Sequence, residues 1–133
     1  MTDVAVTARA TELLAHLWMV RTFVKHSEEA EEFPDLLELP RVAFDAARAI
    51  ESRLDDRAGL ERMLAKKVPR LKRAAAEFRA DAAAASTHTN WQQAAVSLDA
   101  VVSGLEALIP KRTAPPASPL PKSPLPNPPP AGG

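Results

Sequence analysis

Two histidines and their neighbours hold the residue types from which this sequence could assemble a site. His26 is followed three residues later by Glu29, a spacing that sets both on one helix face. His88 opens the run His88-Thr89-Asn90-Trp91, which supplies a second imidazole, two small polar groups and an aromatic ring. Imidazole titrates near neutral pH, ligates metals and accepts phosphoryl groups. Brought together, these six residues could hold a small polar ligand or a metal, or carry a phosphoryl group on histidine. Lys25, Arg21 and Thr22, within about a turn before His26, favour phosphate, whereas Glu28 and Glu29 repel it. The same residues also suit a helix cap flanked by exposed histidines.

Other chemistries lack the residues they need. His16 and His26 stand ten residues apart, about 15 Å along a helix, too far to share an ion. No glutamate precedes any of the three histidines by three residues, so the Glu-x-x-His pattern of dimetal bundles is missing. The absence of cysteine removes disulfides, thiolate metal sites and thiol nucleophiles. Four glycines form no phosphate-cradling loop and no G-x-S-x-G elbow. No catalytic residue, resident metal or cofactor is therefore expected.

A second pattern is electrostatic. Arg62, Lys66, Arg70 and Arg73 recur at helical spacing as one stripe, with Lys67 and Lys72 beside it, a surface that could grip phosphate or an acidic partner. No aromatic residue is interleaved to stack on bases, and 17 basic residues balance 17 acidic ones. Nucleic acid and membrane are thus not the expected partners; a protein partner or self-association is.

The elements that must position these residues read as four helices. The first centres on Leu13 to Glu32, where Leu13, Leu17, Val20 and Val24 keep the period of a buried face. Leu17-Trp18-Met19-Val20 is also apolar around most of the circumference. Such a helix must be covered from several sides, either within the bundle or by a second copy meeting Trp18. Glu28, Glu29, Glu31 and Glu32 at its C-terminal end would oppose the macrodipole. FPDLLELP, residues 33–40, suits a turn, with Pro40 opening a second helix that runs to about Asp55. Leu39, Ala43, Ala46, Ala47, Ile50 and Leu54 form its inner face; Arg41, Asp45, Arg48, Glu51 and Arg53 its wet one.

The third helix, from about Ala58 to Ala85, has Leu60, Leu64, Leu71, Ala75, Phe78, Ala82 and Ala85 on one side, and Pro69 predicts a kink or break near Val68. Thr89 with Gln92 fits a capping box opening the fourth helix. Trp91, Ala95, Leu98, Val102, Leu105 and Ile109 then make a core stripe that stops at Pro110. Residues 111–133 hold nine prolines between Pro115 and Pro130 and should be an extended, disordered tail.

HLWMVRTFVKHSEEAEE together with STHTNWQQAAVSL resembles a group of short bacterial helical proteins of the kind found in planctomycetes, to which no function is assigned. The resemblance spans the helical part and not the proline-rich tail. It implies a bacterial, soluble origin and supplies no catalytic residue to carry over.

The sequence thus predicts an all-α chain: an antiparallel up-and-down four-helix bundle over residues 1–110, its third helix kinked near Pro69, and a disordered tail over 111–133. Without a signal-peptide pattern or a membrane-spanning run, cytoplasm is the expected location. The expected role is a non-enzymatic interaction or regulatory module. The alternatives are a small-ligand, metal or phosphotransfer bundle using His26 and His88, and weak nucleic-acid or acidic-partner binding through the basic stripe.

Overall fold

The computed structural model describes residues 2–85 and 87–110. The proline-rich segment, and with it the expectation of disorder over 111–133, lies outside the described residues. Within them every regular element is helical: α1 (Asp3–Lys25), α2 (Glu28–Glu32), a 3-10 helix (Pro34–Leu37), α3 (Glu38–Glu51), α4 (Arg57–Ala85) and α5 (Thr89–Ala107). None of these helices is long and apolar enough to cross a membrane.

Local chemistry sets the ends. Thr2 Oγ1 accepts the Ala5 N–H at 3.1 Å, Asp3 stands in the first turn of α1 and Lys25 in its last, each charge complementing the helix dipole. Asp56 Oδ1 accepts the Gly59 N–H at 3.1 Å and its carbonyl accepts from Leu60 at 2.7 Å, which caps the start of α4.

Packing follows the apolar stripes. α1 lies against α3 and α5, and α4 against the same two helices. Leu14 and Leu17 of α1, Ile50 of α3, Leu60, Leu64 and Leu71 of α4, and Leu98 and Leu105 of α5 are almost fully buried in one core. Among the described residues no polar or charged side chain is buried there. Ala85, Ala95, Ile109 and Leu54, expected on inner faces, pack at its edge.

Three local expectations are corrected. The first helix does not continue to Glu32. Ser27 ends it by donating its hydroxyl to the Val24 carbonyl at 2.7 Å and accepting the Ala30 N–H at 3.2 Å, thereby capping a separate short helix. A side chain that bonds nearby backbone competes with the helical ladder, and Ser27 wins here. Glu28, Glu29 and Glu31 consequently stand in the first turn of α2, where negative charge suits the dipole, rather than at the end of α1. Next, residues 33–40 form no open turn. Pro34 opens the 3-10 helix, Leu36 enters the core at 1% exposure, and α3 starts at Glu38 with Pro40 in its first turn.

Pro69, thirdly, does not break α4, which runs through it as one helix. The proline and Ala65, whose carbonyl loses its intrahelical partner, both lie on the exposed side of α4.

Candidate functional site

The residues singled out at the His26 end are placed as follows. His26 is the exposed C-cap of α1, its N–H donating to the Thr22 carbonyl at 3.2 Å. Glu29 lies half-buried in α2, and its carbonyl accepts from Phe33 at 2.8 Å. His88, not Thr89, is the N-cap of α5: its carbonyl accepts from Trp91 at 3.0 Å and Gln92 at 3.3 Å, and no side chain bonds at the cap. The capping box expected at Thr89 and Gln92 is therefore not formed, because Thr89 is already the first residue inside the helix. Thr89 and Asn90 are exposed.

Trp91 is a core residue, 3% exposed. Its ring packs on Phe23 of α1 at 5.2 Å and on Phe78 of α4 at 5.8 Å between centroids, and it edges a cavity of about 230 Å3 between α4 and α5 with Arg79 and Val96. The Phe23 contact sets the last turn of α1 against the first turn of α5, one turn from His26 and one from His88. Among the described residues no three histidine, aspartate or glutamate side chains are arranged to hold a metal.

The basic stripe of α4 divides into two kinds of cation. Lys67 pairs with Asp45 of α3 at 2.8 Å, Lys72 with Glu106 of α5 at 3.0 Å, and Arg79 with Asp99 of α5. These ion pairs tie α4 to both of its neighbours. Hydrogen bonding from Lys67, with the positive fields of Lys67, Arg70 and Lys66 behind it, holds the Asp45 carboxyl below its ordinary pKa against the opposing effect of burial. Arg62, Lys66, Arg70 and Arg73 are all exposed and make no ion pair among the described residues. Both helix neighbours are thus served by other cations, and this row is left facing outward.

Trp18 belongs to a constellation between α1 and α3 that spacing alone does not reveal. It is half-buried and meets Phe44 edge-on, ring centroids 5.6 Å apart and planes at 86°. The Arg21 guanidinium carbon sits 5.1 Å from the Trp18 centroid and 5.0 Å from that of Phe44, and Arg48 approaches Phe44 at 5.8 Å. The Trp18 indole N–H donates to Glu51 at 3.0 Å. Trp18 is therefore partly covered within the chain, whereas Met19 beside it is 72% exposed, so the all-round cover expected for this helix is not supplied by the chain there.

Beside these rings runs a groove of about 500 Å3 lined by Arg21, Lys25, Leu37, Pro40, Arg41 and Phe44. Arg41 is met by Glu38 at 3.2 Å; Arg21 and Lys25 have no ion pair among the described residues. Arg21 Nε is closed off from solvent with no hydrogen-bond partner among them. The sequence signals for this cluster were Trp18-x-x-Arg21 and Phe44-x-x-x-Arg48, each one helical turn; what joins them is the register of α1 on α3.

Compared with protein-family models, curated proteins and solved structures, the chain matches none.

Proposed function

We propose that this chain is a non-enzymatic binding module that docks an acidic protein surface through Arg62, Lys66, Arg70 and Arg73. The observation that carries the reading is the outward row of cations, unpaired among the described residues, in a protein whose charges balance overall. Exposed pairs contribute roughly 0.2–1 kcal/mol each, so four of them suit a transient, salt-sensitive contact. Protein is favoured over nucleic acid because the only ring on α4, Phe78, is buried and offers bases nothing to stack on.

The scaffold we infer is an antiparallel up-and-down four-helix bundle of α1, α3, α4 and α5. In its favour, contacts between successive long helices join opposite ends. Thr7 near the start of α1 bonds the Leu54 carbonyl just after α3, while Lys25 at the end of α1 shares a groove with Pro40 at the start of α3. Likewise Lys72 meets Glu106 and Phe78 meets Trp91.

The test is crosslinking in extracts with wild type and with Arg62→Glu/Lys66→Glu/Arg70→Glu. Acidic partners are expected to be captured by wild type and lost with the reversed charges while the protein stays folded, with at most a small drop in melting temperature because Lys66 and Arg70 also support the Asp45–Lys67 pair. Capture of the same proteins by both would overturn the reading, and loss of nucleic acid instead of protein would favour the polyanion alternative.

A small-ligand reading at the His26 end keeps one observation in its favour, the Phe23–Trp91 contact that draws α1 and α5 together there. NMR titration of His26 in wild type and His88→Ala tests it. An unchanged His26 titration would show that the two rings are not neighbours.

A further inference from the structure

We infer that the groove between α1 and α3 is a binding site for a small organic carboxylate with an apolar body. This does not rest on the docking role of α4, with which it shares no residue. The chemistry of the lining makes the choice. One part is apolar, from Leu37, Pro40 and the ring of Phe44; the other is cationic, from Arg21, Lys25 and Arg41. Among the described residues only Arg41 of these three cations has a carboxylate, that of Glu38. The other two acids of α3 are engaged elsewhere, Asp45 with Lys67 and Glu51 with the Trp18 indole N–H. The groove therefore presents an apolar wall with two positive charges at its side, those of Arg21 and Lys25, that no carboxylate among the described residues pairs.

Arg21 is also held in place before anything binds. Two rings bracket its guanidinium within 5.1 Å, and its Nε is removed from water without an acceptor. A cation fixed by stacking loses little freedom when it pairs, and partial shielding from solvent strengthens the pairing. Its planar fork matches a carboxylate. At about 500 Å3 the groove is open along one side to solvent and has room for a small molecule lying against its apolar wall. The chain's own proline-rich segment is the wrong occupant by charge, since residues 111–133 contain Lys111, Arg112 and Lys122 and no acid.

The experiment titrates the full chain with 2-naphthoate and with the neutral 2-naphthamide, following affinity by calorimetry and the indole N–H signals of Trp18 and Trp91 by NMR. We expect naphthoate to bind saturably, at least about tenfold more tightly than the amide, and to move the Trp18 signal while leaving Trp91 in place. Arg21→Gln and Lys25→Gln should each erode the preference for the anion, and Phe44→Leu should weaken both compounds. Lys25 is exposed, so its variant tests the charge requirement even if replacing Arg21 perturbs folding. Equal affinity for acid and amide, indifference to Lys25→Gln, or a shift confined to Trp91 would each overturn the assignment.

Discussion

The indole N–H of Trp18 donates to the carboxylate of Glu51 at 3.0 Å, binding α1 to α3 through a polar contact laid over an aromatic one. With Phe44 at the ring edge and Arg21 over the ring, Trp18 is occupied within its own chain. Trp18→Phe should thus cost about 1 kcal/mol, the worth of one hydrogen bond to a charged acceptor at a wet position. Trp18→Ala should cost about 2 kcal/mol, less than a full core truncation because the residue is only half-buried. Sedimentation should report the same mass for wild type and both variants. A fall in mass on replacing Trp18 would instead make it a contact between copies.

Ser27 carries the next prediction. Its hydroxyl serves both the Val24 carbonyl and the Ala30 N–H, so Ser27→Ala should destabilise by about 1 kcal/mol. Hydrogen exchange should speed up first at residues 28–32, the weakest helix by length. Uniform acceleration across α1 and α3 would mean that α2 is not a local unit.

Ser27 also marks where sequence reasoning reached its limit. The stripes were legible because burial imposes a period: Leu13, Leu17, Val20 and Val24 on α1, or Leu60, Leu64, Leu71 and Phe78 on α4, can face inward only as helices. Four glutamates in an apparently continuous helix signalled a conflict with the dipole, and a serine cap resolves it. At Pro69 only the break is ruled out, since α4 continues through it, and the proline and Ala65 are both exposed. The Arg21–Phe44 cluster was hidden for a different reason. Its members are 23 positions apart in sequence and meet only through the register of two packed helices.

Asp45 gives the pH prediction. Its folded pKa lies below the ordinary 3.8, chiefly through the hydrogen bond from Lys67. The unfolded chain takes up the proton first as pH falls, so the pair's stabilisation is present above about pH 4 and is lost as pH drops through the lowered folded value. Asp45 is 53% exposed, so solvent screening keeps the effect under about 1 kcal/mol. Asp45→Asn should lower the melting temperature slightly at pH 7 and converge with wild type near pH 2. A constant offset over that whole range would show that the carboxylate's charge is not what Lys67 recognises.

Gly104 on α5 faces Leu13 on α1 so closely that an added methyl group would stand 2.7 and 2.8 Å from the two Leu13 methyls. Gly104→Ala gains about 1 kcal/mol of helix propensity, but Leu13 is only 3% exposed, so moving its two methyls means displacing packed core neighbours. Overpacking of this kind costs about 1–3 kcal/mol, so the net change should be a destabilisation of about 1 kcal/mol. Leu13→Val removes both clashing atoms at a cost of its own near 1 kcal/mol. Denaturant unfolding of the two single variants and the double should therefore reveal coupling, the double being more stable than the sum of the singles by about 1 kcal/mol. Strict additivity would place the close approach of α1 and α5 somewhere other than this pair.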